Sequence, residues 1–171
     1  MSAYDRGGVV RRRQWETLSR FISSEYLKGN YVIVGGDFNH DIAGSIGYFP
    51  TRQQKPDWVY PLRGEDLPEH FSFAASLNAP TCRCSEMPYT KGVNYTLVID
   101  GFIVSDNVTV KEVENIDTGF EFTDHEVVIE GVTAKTLIQI YTKLYKATAE
   151  YDKYNTPGDR AWIDDVIVRK Q

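Results

Sequence analysis

The residues Tyr31-Val32-Ile33-Val34 form a short apolar run that ends abruptly in Gly35-Gly36-Asp37-Phe38-Asn39-His40. A run with no polar alternation predicts a strand buried on both faces. Polar residues just past such a strand sit on the rim of a sheet, where the strand fixes them and a ligand can still reach them. Asp37 and Asn39 are two residues apart, so in extended geometry they point to the same side. The glycines before them permit a tight backbone and close approach. A carboxylate here can hold a metal or take a proton from water, and an amide can donate to a phosphate oxygen. The same motif fits equally well an Asx-rich turn that merely ends a strand.

Around this strand the chain alternates between helical and extended patterns. Trp15, Leu18, Phe21, Ile22 and Tyr26 recur at helical steps, which predicts a helix from about Val10 to Leu27, stopped by Gly29-Asn30. Residues 41–61 read as loop. A short helix is expected from Leu67 to Ala75. Tyr95 to Val104 reads as a strand whose alternation changes phase at Asp100-Gly101, and a bulge there is the economical explanation. Further strands are expected at Val108–Val113, after a Ser105-Asp106-Asn107 turn, and at Glu126–Val132. Leu137, Ile140, Tyr141, Leu144, Tyr145 and Tyr151 share a helical face, and Trp162–Val168 reads as one more strand.

Composition narrows the function classes. The 171 residues are 42% hydrophobic and 25% charged, ordinary for a folded chain of about one domain. No apolar run reaches the roughly 18 residues of a membrane span, and no secretory signal is seen, so a cytoplasmic location is expected. The net charge of −5 argues against a non-specific coat for nucleic acid, since such binding is driven by phosphate neutralisation. It leaves room for an enzyme acting on phosphates. The two cysteines, Cys82 and Cys84, are too close for an ordinary disulfide and too few for a zinc site, and are read as reduced. Arg11-Arg12-Arg13 is read as a solvated face, and His40 and His70 as loop histidines.

Two further signals stand beside the strand end. Asp100 lies inside an apolar strand, where a carboxylate needs a partner. Thr123-Asp124-His125 precedes another apolar strand. An Asp that accepts from an imidazole fixes its tautomer and favours its cation, which can stabilise charge on a phosphoryl group. Taken singly, His125 fits a structural histidine and Asp100 a turn or edge residue.

Together the segments Gly36-Asp37-Phe38-Asn39, Val98-Ile99-Asp100-Gly101-Phe102 and Thr123-Asp124-His125 resemble, in order, three motifs of the endonuclease/exonuclease/phosphatase superfamily, the fold of deoxyribonuclease I. The resemblance covers about Ser2 to Val132. It implies an α+β fold: the second half of a four-layer α/β/β/α sandwich over residues 1–132, mostly antiparallel sheet with flanking helices. Residues 133–171 would then be a helix-strand extension. It further implies catalytic roles for Asp37, Asn39, Asp100 and His125. Asp37 would activate water, Asn39 and His125 would hold the phosphate, and Asp100 would orient His125. Asp124 and Asp37 would lie at a metal site for Mg²⁺ or Mn²⁺. The implied activity is hydrolysis of a phosphoester of unknown class. The family's first half carries its principal metal-binding Glu, and the chain begins past the point where that half would lie. A complementary N-terminal half chain is therefore an expected partner, with weak activity alone. The competing expectation is a non-catalytic interaction module that forms a homodimer or binds a partner through an exposed sheet face.

Overall fold

The computed structural model describes residues 1–2, 5, 8–121, 123–125 and 127–131, the last five through their backbone. The expected extension over 133–171 lies outside the described residues. The elements form a mixed α+β arrangement of one helix and small antiparallel sheets.

Helix α1 spans Val9–Leu27 and ends at Lys28, with Gly29 in the left-handed region at φ 81°. Glycine adopts that conformation without a Cβ penalty, so it stops the helix where the sequence predicts. Ile22 is fully buried, and Trp15, Leu18 and Tyr26 pack half-buried beside it. Phe21, on the same expected stripe, is exposed.

The central sheet has the order β1-β5-β2, with β1 Ile33–Asp37, β2 Phe71–Ala74 and β5 Asp100–Ser105, all antiparallel. Val34, Ile103 and Phe73 stand opposite one another in register and face the core that contains Ile22 and Val32. The expected two-sided burial of the first strand is not found. Val32 and Val34 are buried, whereas Ile33 is half-buried and Gly35 and Gly36 are exposed. The helix covers one face only, so the apolar run alternates after all.

Three other expectations shift. Residues 67–75 form no α-helix. A 3₁₀ turn spans Gly64–Asp66 and β2 follows, because Phe71 and Phe73 pack inward around exposed Ser72 with a period of two. The strand expected over 95–104 is two strands. β4, Thr96–Leu97, pairs with β3, Cys82–Arg83, and β5 begins at Asp100. Between them Val98 and Ile99 accept from Ile42 N–H (3.3 Å) and Phe38 N–H (2.9 Å), while Ile99 and Asp100 donate to Thr81 Oγ1 at 3.0 and 3.1 Å. The phase slip is a change of sheet, not a bulge. β6 runs Glu112–Ile116, later than expected, because Val108 N–H closes the turn onto Ser105 C=O. β6 pairs with β7, Val127–Gly131.

A second core joins β3 and β4 through Val59, Cys82, Cys84, Tyr95, Leu97 and Ile99. Both cysteines are free and buried, as the sequence implies. Among the described residues no helix is long and apolar enough to cross a membrane.

The close approach of β5 to its neighbours gives a direct test. A Cβ on Gly101 would lie 2.8 Å from Ile42 Cδ1 and 3.1 Å from the Ala74 carbonyl oxygen. The second atom is backbone and cannot swing aside. Gly101→Ala should therefore cost about 1–3 kcal/mol in urea unfolding. Gly35→Ala, whose Cβ would meet only the Phe102 ring at 2.8 Å, should cost less, because a half-buried side chain can move. Equal losses for the two variants would contradict this packing.

Candidate active site

Asp37 closes β1 and stands directly opposite Asp100, the first residue of β5. Opposed residues of an antiparallel pair share a face, so both carboxylates project to the same side. Phe38, 3% exposed, anchors the motif by donating its N–H to Ile99 C=O. Asn39 then turns into the left-handed region at φ 49°. Its backbone N–H donates to Asp37 Oδ1 at 2.6 Å, and its Nδ2 donates to Asp37 Oδ2 and to Met1 C=O, each at 2.5 Å. Asn39 therefore grips the Asp37 carboxylate through both oxygens.

Burial, and then the facing Asp100 carboxylate, push the Asp37 pKa above the usual aspartate value. His125 and the Asn39 N–H pull against that shift. The result is a carboxylate with more than ordinary affinity for a proton.

His125 reaches the same place from the far end of the chain. It forms an isolated antiparallel bridge with Cys82, and Arg83 N–H donates to Asp124 C=O at 3.1 Å. Nδ1 of the ring lies 3.0 Å from Asp100 Oδ2 and 3.2 Å from Oδ1. Nε2 lies 3.9 Å from Cys82 Sγ. Burial works against the charged ring, but the hydrogen bond that the ring donates to Asp100 and the contact with Cys82 outweigh it, and the pKa rises to about 11. At neutral pH the ring is an imidazolium that donates from Nδ1 to Asp100 and from Nε2 toward sulfur. Burial pushes the Cys82 thiol up.

Asp37, Asn39, Asp100 and His125 are thus brought together. Asp124 precedes His125 in the chain, its carbonyl accepts from Arg83 N–H, and among the described residues its carboxylate makes no hydrogen bond or ion pair. Nor do the described residues contain a cluster of three or more His, Cys, Asp or Glu side chains arranged to hold a metal. Two shallow surface hollows, one beside Ser23, Leu27 and Pro68 and one beside Asn78 and Asn115, lie on residues outside this group.

The other histidines are structural. His40 Nδ1 hydrogen-bonds Phe38 C=O at 2.9 Å, and burial, with Arg11 nearby, lowers its pKa. His70 pairs with Asp106 at 2.8 Å and stacks on Tyr26.

Three residues near the site carry no clear sequence signal. Cys82 reads only as a reduced thiol. Asp41 reads as loop, yet its carboxylate is buried and fully engaged. Arg11 departs from the expected solvated face, which holds for Arg12 and Arg13 alone: Arg11 is buried, with Nη1 2.9 Å from Asn39 C=O. No protein-family model matches the chain, and no characterised protein or solved structure is significantly similar to it.

Proposed function

We propose that this site hydrolyses phosphoesters, with Asp37 taking a proton from the attacking water and His125 stabilising charge on the phosphoryl oxygens. The observation that carries the reading is the half-buried Asp100–His125 pair set directly beside a proton-hungry, Asn-clamped Asp37. An imidazolium fixed by a carboxylate is a preorganised cation, which costs no reorganisation as charge develops. Among the described residues its Nε2–H faces a sulfur at 3.9 Å. Sulfur is a weak acceptor, so an anionic phosphate oxygen would compete well for that proton. Asn39, whose amide is committed to Asp37, acts in this scheme mainly as a brace that holds the base.

The superfamily resemblance adds Mg²⁺ or Mn²⁺, a four-layer sandwich and a complementary half domain to the proposal. Asp37 is a hard oxygen donor suited to such a cation. The described residues do not complete a site for it, and the steps above run through the chain's own side chains. A second reading, a non-catalytic module pairing through the sheet face of Ile33, Gly35 and Phe102, draws on the partial exposure of this face.

The test is hydrolysis of bis(p-nitrophenyl) phosphate with Mg²⁺ or Mn²⁺ present. Asp37→Ala and His125→Gln should each lower kcat/KM by about 100-fold or more. Turnover that survives both substitutions, or no turnover by the intact chain, would defeat the hydrolytic reading. In the latter case a dimer by light scattering would favour the module.

A further inference from the structure

Arg11 sits in the first turn of α1 and is 3% exposed. No carboxylate among the described residues pairs with its guanidinium. A buried cation in this position is costly unless its donors are used. Nη1 donates to Asn39 C=O at 2.9 Å and Nη2 to Asp5 C=O at 3.2 Å. The guanidinium carbon lies 5.6 Å from the centre of the Tyr60 ring, and Nε is buried with no partner among the described residues. Held like this, the side chain serves neither solubility nor an ion pair. Its shortest contact is with the backbone of a residue at positive φ, where a non-glycine residue needs support from its surroundings.

We propose that Arg11 is a positioning residue for the Asp37–Asn39 clamp. By capturing the Asn39 carbonyl it holds the left-handed turn that lets Asn39 N–H and Nδ2 reach the two oxygens of Asp37 together. Lysine could not replace it, because a single ammonium lacks the planar fork that spans the Asn39 and Asp5 carbonyls. The consequence for catalysis rests on the phosphoesterase reading. The consequence for the turn does not.

The experiment is amide hydrogen exchange by NMR on the full chain, alongside the hydrolysis assay, for Arg11→Met, Arg11→Lys and the exposed control Arg12→Met. In Arg11→Met the Asn39 amide proton should exchange about ten-fold faster, while β5 amide protons keep their wild-type rates. Arg11→Lys, which keeps the charge and much of the bulk, should show the same local loss and tests the idea if the Met variant does not fold. Arg12→Met should change nothing. In the assay kcat should fall about ten-fold with KM held, and Arg11→Met should cause no further loss in an Asn39→Ala background. Unchanged Asn39 exchange in the folded Arg11 variants would overturn the proposal. So would exchange that speeds up uniformly across α1 and β5, the mark of a merely structural arginine. If the wild-type chain hydrolyses nothing, the phosphoesterase reading fails and exchange alone decides the role of Arg11.

Discussion

Asp100→Asn should lower the pKa of His125 sharply. In the wild-type chain the His125 pKa is pushed up to about 11, first by the hydrogen bond to the Asp100 carboxylate, 3.0 Å from Nδ1, and then by the contact with Cys82. Asparagine keeps the shape and can still accept from Nδ1–H, but removes the negative charge. Burial then opposes only the contact with Cys82, and the ring should lose its proton well below the wild-type value of about 11. NMR titration of the His125 ring reads this directly, and a variant ring still charged at pH 9 would show that Asp100 is not the main source of the shift. Stability carries the same signature. A folded-state pKa raised above the unfolded value means the native protein binds more protons than the unfolded chain. The stability from this pair is therefore fully present below about pH 6.5 and is lost as pH rises toward 11. The raised Asp37 pKa acts in the same direction at lower pH, from the ordinary aspartate value upward. Wild-type stability should thus fall as the solution becomes alkaline, and Asp100→Asn should flatten that fall. The His125 side chain is 35% exposed, so water screens the pair and the change should be well short of the full titration shift.

What the sequence reveals of this site and what it hides follow from the range of the interactions involved. Asp37, Asn39, Asp100 and His125 are legible because each breaks a local pattern: polar residues at the end of an apolar run, a lone acid in an apolar strand, a histidine at a strand entrance. α1 is legible because its period is long and its stop is a glycine. β2 is misread because Leu67 to Ala75 carries apolar residues compatible with either period, and only pairing with β5 decides between them. The phase slip near Asp100 is visible, but its cause is not. The chain changes sheets there, and the groups that hold the crossing, Thr81 and Ser45, lie 18 and 53 residues from the backbone they bind. Arg11 hides for a related reason. Three consecutive arginines look alike in sequence, and only the position of Asn39 against α1 makes the first of them different.

Asp41→Ala should be among the most destabilising single substitutions in this chain, by about 3–5 kcal/mol. The carboxylate is 3% exposed and accepts from the Ser45 N–H and Ser45 Oγ, both at 2.8 Å, from Ile46 N–H at 3.0 Å and from Ala43 N–H at 3.3 Å. Alanine would leave these donors buried or half-buried without an acceptor, and an unmade buried hydrogen bond costs more than a made one contributes. The damage should spread. Ser45 Oγ, oriented by Asp41, accepts the Val98 N–H at 2.8 Å, at the point where the chain passes from β4 to β5. Two residues further on lies Asp100, and Ile99 C=O holds Phe38 between Asp37 and Asn39. Loosening this crossing should let the Asp37–Asp100 pairing drift, so the folded fraction of Asp41→Ala should also show a lowered His125 pKa. Asp41→Asn keeps one acceptor oxygen and should lose about half as much stability. Urea unfolding and the His125 titration measure both effects. An alanine variant within about 0.5 kcal/mol of wild type would mean that the 41–46 loop is not what holds the crossing. A large loss of stability with an unchanged His125 pKa would mean that the loop supports the fold without setting the geometry of the site.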